Sequence, residues 1–437
     1  MRVLISGEIG FAKFLKKLSH RGEAELAKVE VQVRDILEQV KKQGDQALLR
    51  LTRIYDGWKA SSKTLRVSRG EIQAALKALS REEKKVLEFA AARIERFHSL
   101  QDRRSWSFAE EDGTILGQIV RPVETVGIYV PGGKAAYPSS VLMNAIPAKV
   151  AGVSSIIMAS PTPQGHINPA VLVAAQIAGV DAVFKIGGAQ AIGAMAFGTK
   201  SIPKVDKIVG PGNIYVAAAK RLVFGEVAID TIAGPSEILI IADGSGDPSF
   251  LAADLISQAE HDEQASAVLL CLSRSFAEKV RKKVIQQISV LPRRKIAEPS
   301  LRNWGAILIV KNLSAAVKIA NDLAPEHLEL AVADPFGLLP KIENAGAIFL
   351  GHISPEAIGD YVAGPNHVLP TGGTARFSSP LGVYDFLKRS SLICLSPEGL
   401  KNLSRPAMAL ARMESLEGHR SSIAMREKSV DSSGPFD

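Results

Sequence analysis

From about residue 23 to residue 100, apolar positions recur at spacings of three and four on a background of Ala, Leu, Glu, Lys and Arg, which predicts amphipathic helices. Ser80 and Glu83, ahead of VLEFAAARIERF, mark one helix start, because the hydroxyl and the carboxylate can satisfy free amide donors of a first turn. At Trp106 the pattern changes. WSFAEEDGTILGQIVRP holds two short runs around Asp112 and Gly113, a dipeptide that accepts positive φ, and predicts a hairpin. VSSIIMAS, DAVFKIGG and KVDKIVGPG then alternate with Ala-rich helical stretches, and EILIIAD, SAVLLCL and GAILIV repeat that grammar downstream. The alternation argues for parallel strands with crossover helices, in two α/β sheets or two halves of one architecture. After Gly351, periodicity gives way to Gly, Pro and Ser, a stretch long enough to predict a functional loop. The polar C-terminal segment REKSVDSSGPFD is expected to fray.

At 437 residues the chain is long enough for about three domains and a large core. Its two cysteines, Cys271 and Cys394, cannot build a disulfide framework or a thiolate zinc site, so a reducing, cytoplasmic setting is expected. Glu8, Lys13, Lys16 and Lys17 interrupt the N-terminus too early for a secretory signal. Pro161, Pro163 and Pro169 break the longest uncharged stretch, residues 150–180, so no membrane span is expected. The net charge of +8 comes from dispersed basic residues without interleaved aromatics, which argues against a nucleic-acid surface.

Gln258 and His261 lie three apart at the end of FLAADLISQAEH, a spacing at which two side chains on one helix face can reach one metal. An imidazole, carboxylate and amide donor set suits zinc or manganese and stays open to substrate; His261 could equally complement a helix dipole. Glu326 and His327 follow Pro325, which suits the first turn of a short helix, and an adjacent carboxylate and imidazole could handle neighbouring protons. No GxGxxG follows a strand. YVPGG (129–133), GGAQ (187–190) and GPGN (210–213) instead sit at strand-to-loop transitions, where amides could face a phosphate or glycines could simply serve tight turns.

The segment IDTIAGPSEILIIADGSGDPSFLAADLISQAEH (229–261) closely resembles the signature of the histidinol dehydrogenase family. NDLAPEHLEL, SPEAIGDYVAGPNHVLPTGGTARFSSPLGVYDFLK and ESLEGHRSSIAMR resemble its later motifs, in order and with the family's spacing, to about Arg426. The resemblance implies two Rossmann-like parallel-sheet domains of an incomplete dinucleotide-binding type. The expected division is a helical N-terminal region (1–104), an α/β domain with NAD-binding turns (105–235), a second with zinc and acid–base residues (236–380), and a C-terminal extension (381–437) reaching the partner subunit's site.

It further implies oxidation of L-histidinol through the aldehyde to L-histidine, the last two steps of histidine biosynthesis, with two NAD+ and one zinc per site in a homodimer with shared sites. By the same resemblance Gln258, His261, Asp360 and His419 match the zinc ligands, His419 coming from the other subunit. Glu326 and His327 match the acid–base pair, with His327 taking the alcohol proton and Glu326 activating water. Ser236, His367 and Glu414 match substrate contacts, alongside Gln258, His261, His327, Asp360 and His419; Tyr129, Gln190 and Asn213 match NAD contacts. Two alternatives remain open to the sequence: a dehydrogenase of another amino alcohol or diol, and a zinc hydrolase using Glu326 as base.

Overall fold

The computed structural model describes residues 1–19, 21, 23–132, 136–232 and 234–432; Gly133, which closes the first glycine-rich turn, lies outside them. The strands are β1 (Arg2–Ile5), β2 (Trp106–Ala109), β3 (Ile115–Pro122), β4 (Thr125–Tyr129), β5 (Ser155–Ser160), β6 (Ala182–Lys185), β7 (Lys207–Val209), β8 (Ala228–Ile229), β9 (Glu237–Ala242), β10 (Ser266–Cys271), β11 (Ala306–Ile309), β12 (His327–Ala331), β13 (Ala347–Leu350) and β14 (Leu387–Cys394). They fall into two units, residues 1–101 with 123–386, and residues 102–122 with 387–437.

The first unit is α/β and holds two parallel sheets. In one, the order is β6-β5-β4-β7-β8, so successive strands move outward from β4 and then restart on its other side at β7. Its core joins Ile157, Phe184 and Ile208 to Val33, Ile36, Val40 and Leu48 of the helices Glu23–Gln43 and Asp45–Tyr55. Part of the helical N-terminal region thus covers a face of this sheet. The capping box expected at Ser80 and Glu83 forms, with both reciprocal bonds present, at the start of the helix Arg81–His98.

In the second sheet the order is β1-β11-β10-β9-β12-β13, all parallel, with the reversal between β9 and β12. EILIIA, SAVLLC and AILI are continuous apolar runs because both faces are covered, and each buried Leu or Ile contributes about 1.5–3 kcal/mol. The exceptions are polar: Glu237 opens β9, and His327 and Glu329 lie in β12. Ionisable groups in the central strands of a buried sheet need a reason beyond packing.

The second unit pairs β14, β3 and β2 antiparallel, with β2 and β3 forming the hairpin expected around Asp112 and Gly113. The helices Pro397–Met413 and Glu417–Ser432 complete it. The polar segment expected to fray is therefore helical as far as Ser432, with Arg426 donating to the Ser422 carbonyl at 2.9 Å one turn back. Arg, Glu and Lys are good helix formers, and their polarity does not oppose an exposed helix. Among the described residues no helix is long and apolar enough to cross a membrane.

Candidate active site

The three glycine-rich turns all follow carboxyl ends of strands in the first sheet, and those after β4 and β7 flank its reversal, where open α/β sheets form a ligand crevice. The turns are tightly built. Gly210 has φ +112°, and a Cβ there would meet the Tyr129 carbonyl at 2.2 Å; a Cβ on Gly187 would meet Pro161 at 2.3 Å. Asp230 accepts from Gly210 N at 2.7 Å and Lys220 donates to Gly210 O at 2.9 Å, so a buried ion pair holds both polar groups of that residue. Tyr129 is buried and its hydroxyl accepts from Gly188 N at 3.1 Å; burial pushes it up to about 12, so it stays protonated. Gln190 is buried in the helix Gly188–Phe197, and Asn213 caps the helix Ile214–Val223 by accepting from Tyr215 N and Val216 N. The glycines are thus required by the close packing of these turns, and the turns stand where a parallel sheet binds a nucleotide, at the carboxyl ends of strands beside the reversal.

A second constellation lies at the amino ends of β9 and β12. Glu326 is buried, and its Oε2 accepts from Glu237 N at 2.9 Å. Burial holds the Glu326 carboxyl well above the usual carboxylate range, against the pull of that bond and with the charges of Glu237 and Asp360 adding to it. His327 Nδ1 lies 3.2 Å from the Glu237 carbonyl. A carbonyl only accepts, so Nδ1 carries the proton and Nε2 presents a lone pair. Burial pushes His327 down to about 4 despite the Asp360 charge, so the ring is neutral at pH 7.

His327 Nε2 has no hydrogen-bond partner and lies 3.8 Å from both Glu356 Oε1 and Asp360 Oδ1. These three residues each offer a ligand atom, all within 4.8 Å of one another. Gln258, on the helix Pro248–Ala259, is buried with both amide atoms unpartnered, and its neighbour Ser257 donates to Glu356 at 3.3 Å. His261 is exposed, yet the surrounding protein pushes its imidazole below the ordinary value, opposed by the Asp360 charge. His367 Nδ1 donates to the Asp360 carbonyl at 2.8 Å, fixing that segment. An orphaned amide beside imidazoles and a carboxylate is a donor set that fits zinc.

The sequence profile of the histidinol dehydrogenase family matches residues 19–427. The chain is 55% identical to the histidinol dehydrogenase of Syntrophotalea carbinolica over 98% of its own length and 99% of the relative's. It is 53% identical to that of Geobacter sulfurreducens over 98% and 100%. The crystal structure of histidinol dehydrogenase from Elizabethkingia anophelis superposes with a TM-score of 0.93 at 37% identity, covering 99% of each chain. The chain belongs to the histidinol dehydrogenase family. It is accordingly an NAD-dependent oxidoreductase of the last steps of histidine biosynthesis, which sets aside the hydrolase alternative.

Two local expectations change. Glu326 and His327 do not start a helix: Ala324 ends the preceding helix with φ 48°, and His327 opens β12, paired with Ile238 and Ala347. The buried run HLELA between β9 and β13 overrides the helix-start signal of Pro325. The helix carrying Gln258 ends at Ala259, so His261 lies beyond it rather than one turn along it. Glu414 and His419 lie exposed in the second unit, at the end of Pro397–Met413 and within Glu417–Ser432. Sequence reasoning passed over Glu356, whose spacing of four from Asp360 on the helix Glu356–Tyr361 puts both carboxylates on one face. It also passed over Glu237, Glu329 and Arg21.

In metal-free protein, burial pushes Glu329 up to about 8, with Asp254 adding, and Glu356 up to about 9, with Asp360 adding. The folded state then holds more protons than the unfolded chain above the ordinary carboxyl value of 4.5, and stability falls as pH rises through 8 to 9. His327 acts oppositely, costing stability as pH falls from 6.5 to about 4. The stripped enzyme should therefore melt at a higher temperature at pH 6 than at pH 9, and zinc should reduce that difference by favouring the ionised carboxyls. Equal melting temperatures for the stripped enzyme at both pH values would contradict this reading of the cluster.

Proposed function

We propose that the chain oxidises L-histidinol through L-histidinal to L-histidine with two NAD+ at one zinc-bearing site, as a cytoplasmic homodimer. Gln258, His261 and Asp360 would hold the zinc, with His419 supplied by the second subunit, and Tyr129, Gln190 and Asn213 would line the NAD site. When bound, NAD+ would supply the hydride acceptor for each step and zinc a Lewis-acidic anchor for the substrate. Ser236, His367 and Glu414 would orient histidinol, the Glu414 carboxylate suiting a cationic or imidazole-bearing substrate.

The observation that carries the reading is the proton arrangement of His327. With Nδ1–H fixed on the Glu237 carbonyl and the ring neutral, Nε2 can take the hydroxyl proton of histidinol as the hydride leaves. Glu326 has the second task. Its raised affinity for protons makes its ionised form a stronger base, able to take a proton from water as the oxygen adds to the aldehyde carbon. The His327 imidazolium returns its proton to the carbonyl oxygen as the water adds, which restores the neutral ring, and His327 then takes the hydroxyl proton of the hydrate as the second hydride leaves.

Glu326→Gln separates the two tasks. The variant should oxidise histidinol to histidinal within several-fold of the wild-type rate but convert histidinal to histidine about 10²–10⁴-fold more slowly. Rates measured separately from histidinol and histidinal check this; equal losses in both would overturn the division of labour.

A further inference from the structure

Neither the metal site, the cofactor turns nor the proton steps make direct use of a buried ion pair beside them. Arg21 Nη2 and Glu237 Oε2 are 2.9 Å apart, with side chains only 3% and 14% exposed. Ion pairs so placed often contribute little net stability, because desolvation offsets the attraction. Its connections suggest another purpose. Arg21 also donates to the carbonyls of Pro235 at 2.6 Å, Ser236 at 3.4 Å and Gln264 at 3.1 Å. The other oxygen of Glu237 accepts from Gly372 N at 2.9 Å, and Gly234 N donates to Thr371 Oγ1 at 2.6 Å. The short segment 234–237 is thereby tied to three separate parts of the chain, at residues 21, 266 and 371–372, and Arg21 in turn to Gln264.

That same segment supplies a main-chain partner to each side chain of the acid–base pair. The amide of Glu237 donates to Glu326 Oε2, and its carbonyl receives the proton of His327 Nδ1. A single residue's peptide groups thus set the orientation of one catalytic carboxyl and the tautomer of the neighbouring imidazole. Ser236, with its carbonyl accepting from both Ser266 N and Arg21, precedes it directly.

We infer that Arg21 and Glu237 are positioning residues, which hold the Glu237 main chain where it orients Glu326 and fixes the tautomer of His327. Arg21 suits the task because its planar fork serves several acceptors at once, which a lysine ammonium on a flexible stem cannot do in the same geometry. Without it, three carbonyls and a buried carboxylate lose a donor, and the segment is free to shift. A displacement of about 1 Å at the acid–base pair can cost about 10²-fold in rate without touching substrate binding.

This inference rests on the assignment of Glu326 and His327 made above, and the test separates the two. Arg21→Met, Arg21→Lys, Glu326→Gln and His327→Asn are compared as full-length zinc-loaded enzyme, with rates normalised to bound zinc. Arg21→Met should lower kcat about 10–100-fold per zinc-bearing site while KM for NAD+ stays unchanged. Arg21→Lys, which keeps the charge and is the safer variant for folding, should recover zinc binding and the melting temperature but only part of kcat. A merely structural role would leave kcat per zinc-bearing site at the wild-type value in both Arg21 variants, and that result overturns the inference. Full activity in Glu326→Gln and His327→Asn would instead overturn the assignment on which it rests.

Discussion

His327→Asn is expected to lower kcat for both oxidation steps by about 10²–10⁴-fold while bound zinc and KM for NAD+ stay close to wild type. The size follows from the loss of a base that is already in its productive form: Nδ1–H is committed to the Glu237 carbonyl, burial keeps the ring neutral, and Nε2 has no competing partner. Asparagine can keep a donor toward the Glu237 carbonyl, but it has no nitrogen lone pair that can accept a proton near neutral pH. Both steps should suffer, because each releases a hydroxyl proton as the hydride departs. Steady-state rates from histidinol and histidinal, with metal analysis of the same samples, check the prediction. Retention of full turnover would show that another group takes the proton.

The second large effect is expected at Asp360. Asp360→Ala should lose most of its zinc and, with it, nearly all turnover, while the folded state persists. Asp360 Oδ1 stands 3.8 Å from His327 Nε2, its carbonyl is held by His367, and its charge acts on both His261 and Glu356. Removing it takes a hard oxygen donor from the proposed site and leaves Gln258 and His261 as the only ligands this subunit supplies. In the metal-free protein the same change removes a like charge beside Glu356, so the apo form should be no less stable at alkaline pH than wild type. Metal analysis and melting curves with and without zinc measure the two effects separately. Wild-type zinc content in Asp360→Ala would remove this residue from the ligand set.

Much of this architecture is legible in the sequence because its signals are local. Asp112 and Gly113 between two apolar runs specify the hairpin of β2 and β3, and Ser80 with Glu83 specifies a capped helix. Continuous apolar runs such as EILIIA read as parallel strands buried on both faces. The start of β12 was obscured because Pro325 ahead of Glu326 has the local form of a helix start, and only pairing with β9 and β13 decides otherwise. Glu356 sits in a Gly-, Pro- and Ser-rich stretch without periodicity, where the i,i+4 relation to Asp360 has no helical frame to make it visible. Arg21 is one of 53 basic residues, and its partner Glu237 lies 216 positions away. Spacing along the chain carries no signal for such a contact.

Glu326 and His327 are neighbours in the chain, both buried at the amino end of β12 and beside the amino end of β9. The second sheet supplies a rigid, dry frame in which a carboxyl is raised and an imidazole lowered from their ordinary ranges, so the proposed pair sets a more basic carboxylate beside an imidazole that stays neutral. The glycine-rich turns proposed to hold NAD lie at the carboxyl ends of the first sheet's strands, so in the proposal each parallel sheet contributes a different end to the chemistry.

The most direct test counts NADH formed per histidinol consumed, in zinc-loaded enzyme and in the same preparation after chelation and after zinc is restored. A four-electron oxidation at one zinc-bearing site requires two NADH per histidinol, lost on chelation and regained with metal. One NADH with accumulating histidinal, or turnover that survives removal of the metal, would contradict it.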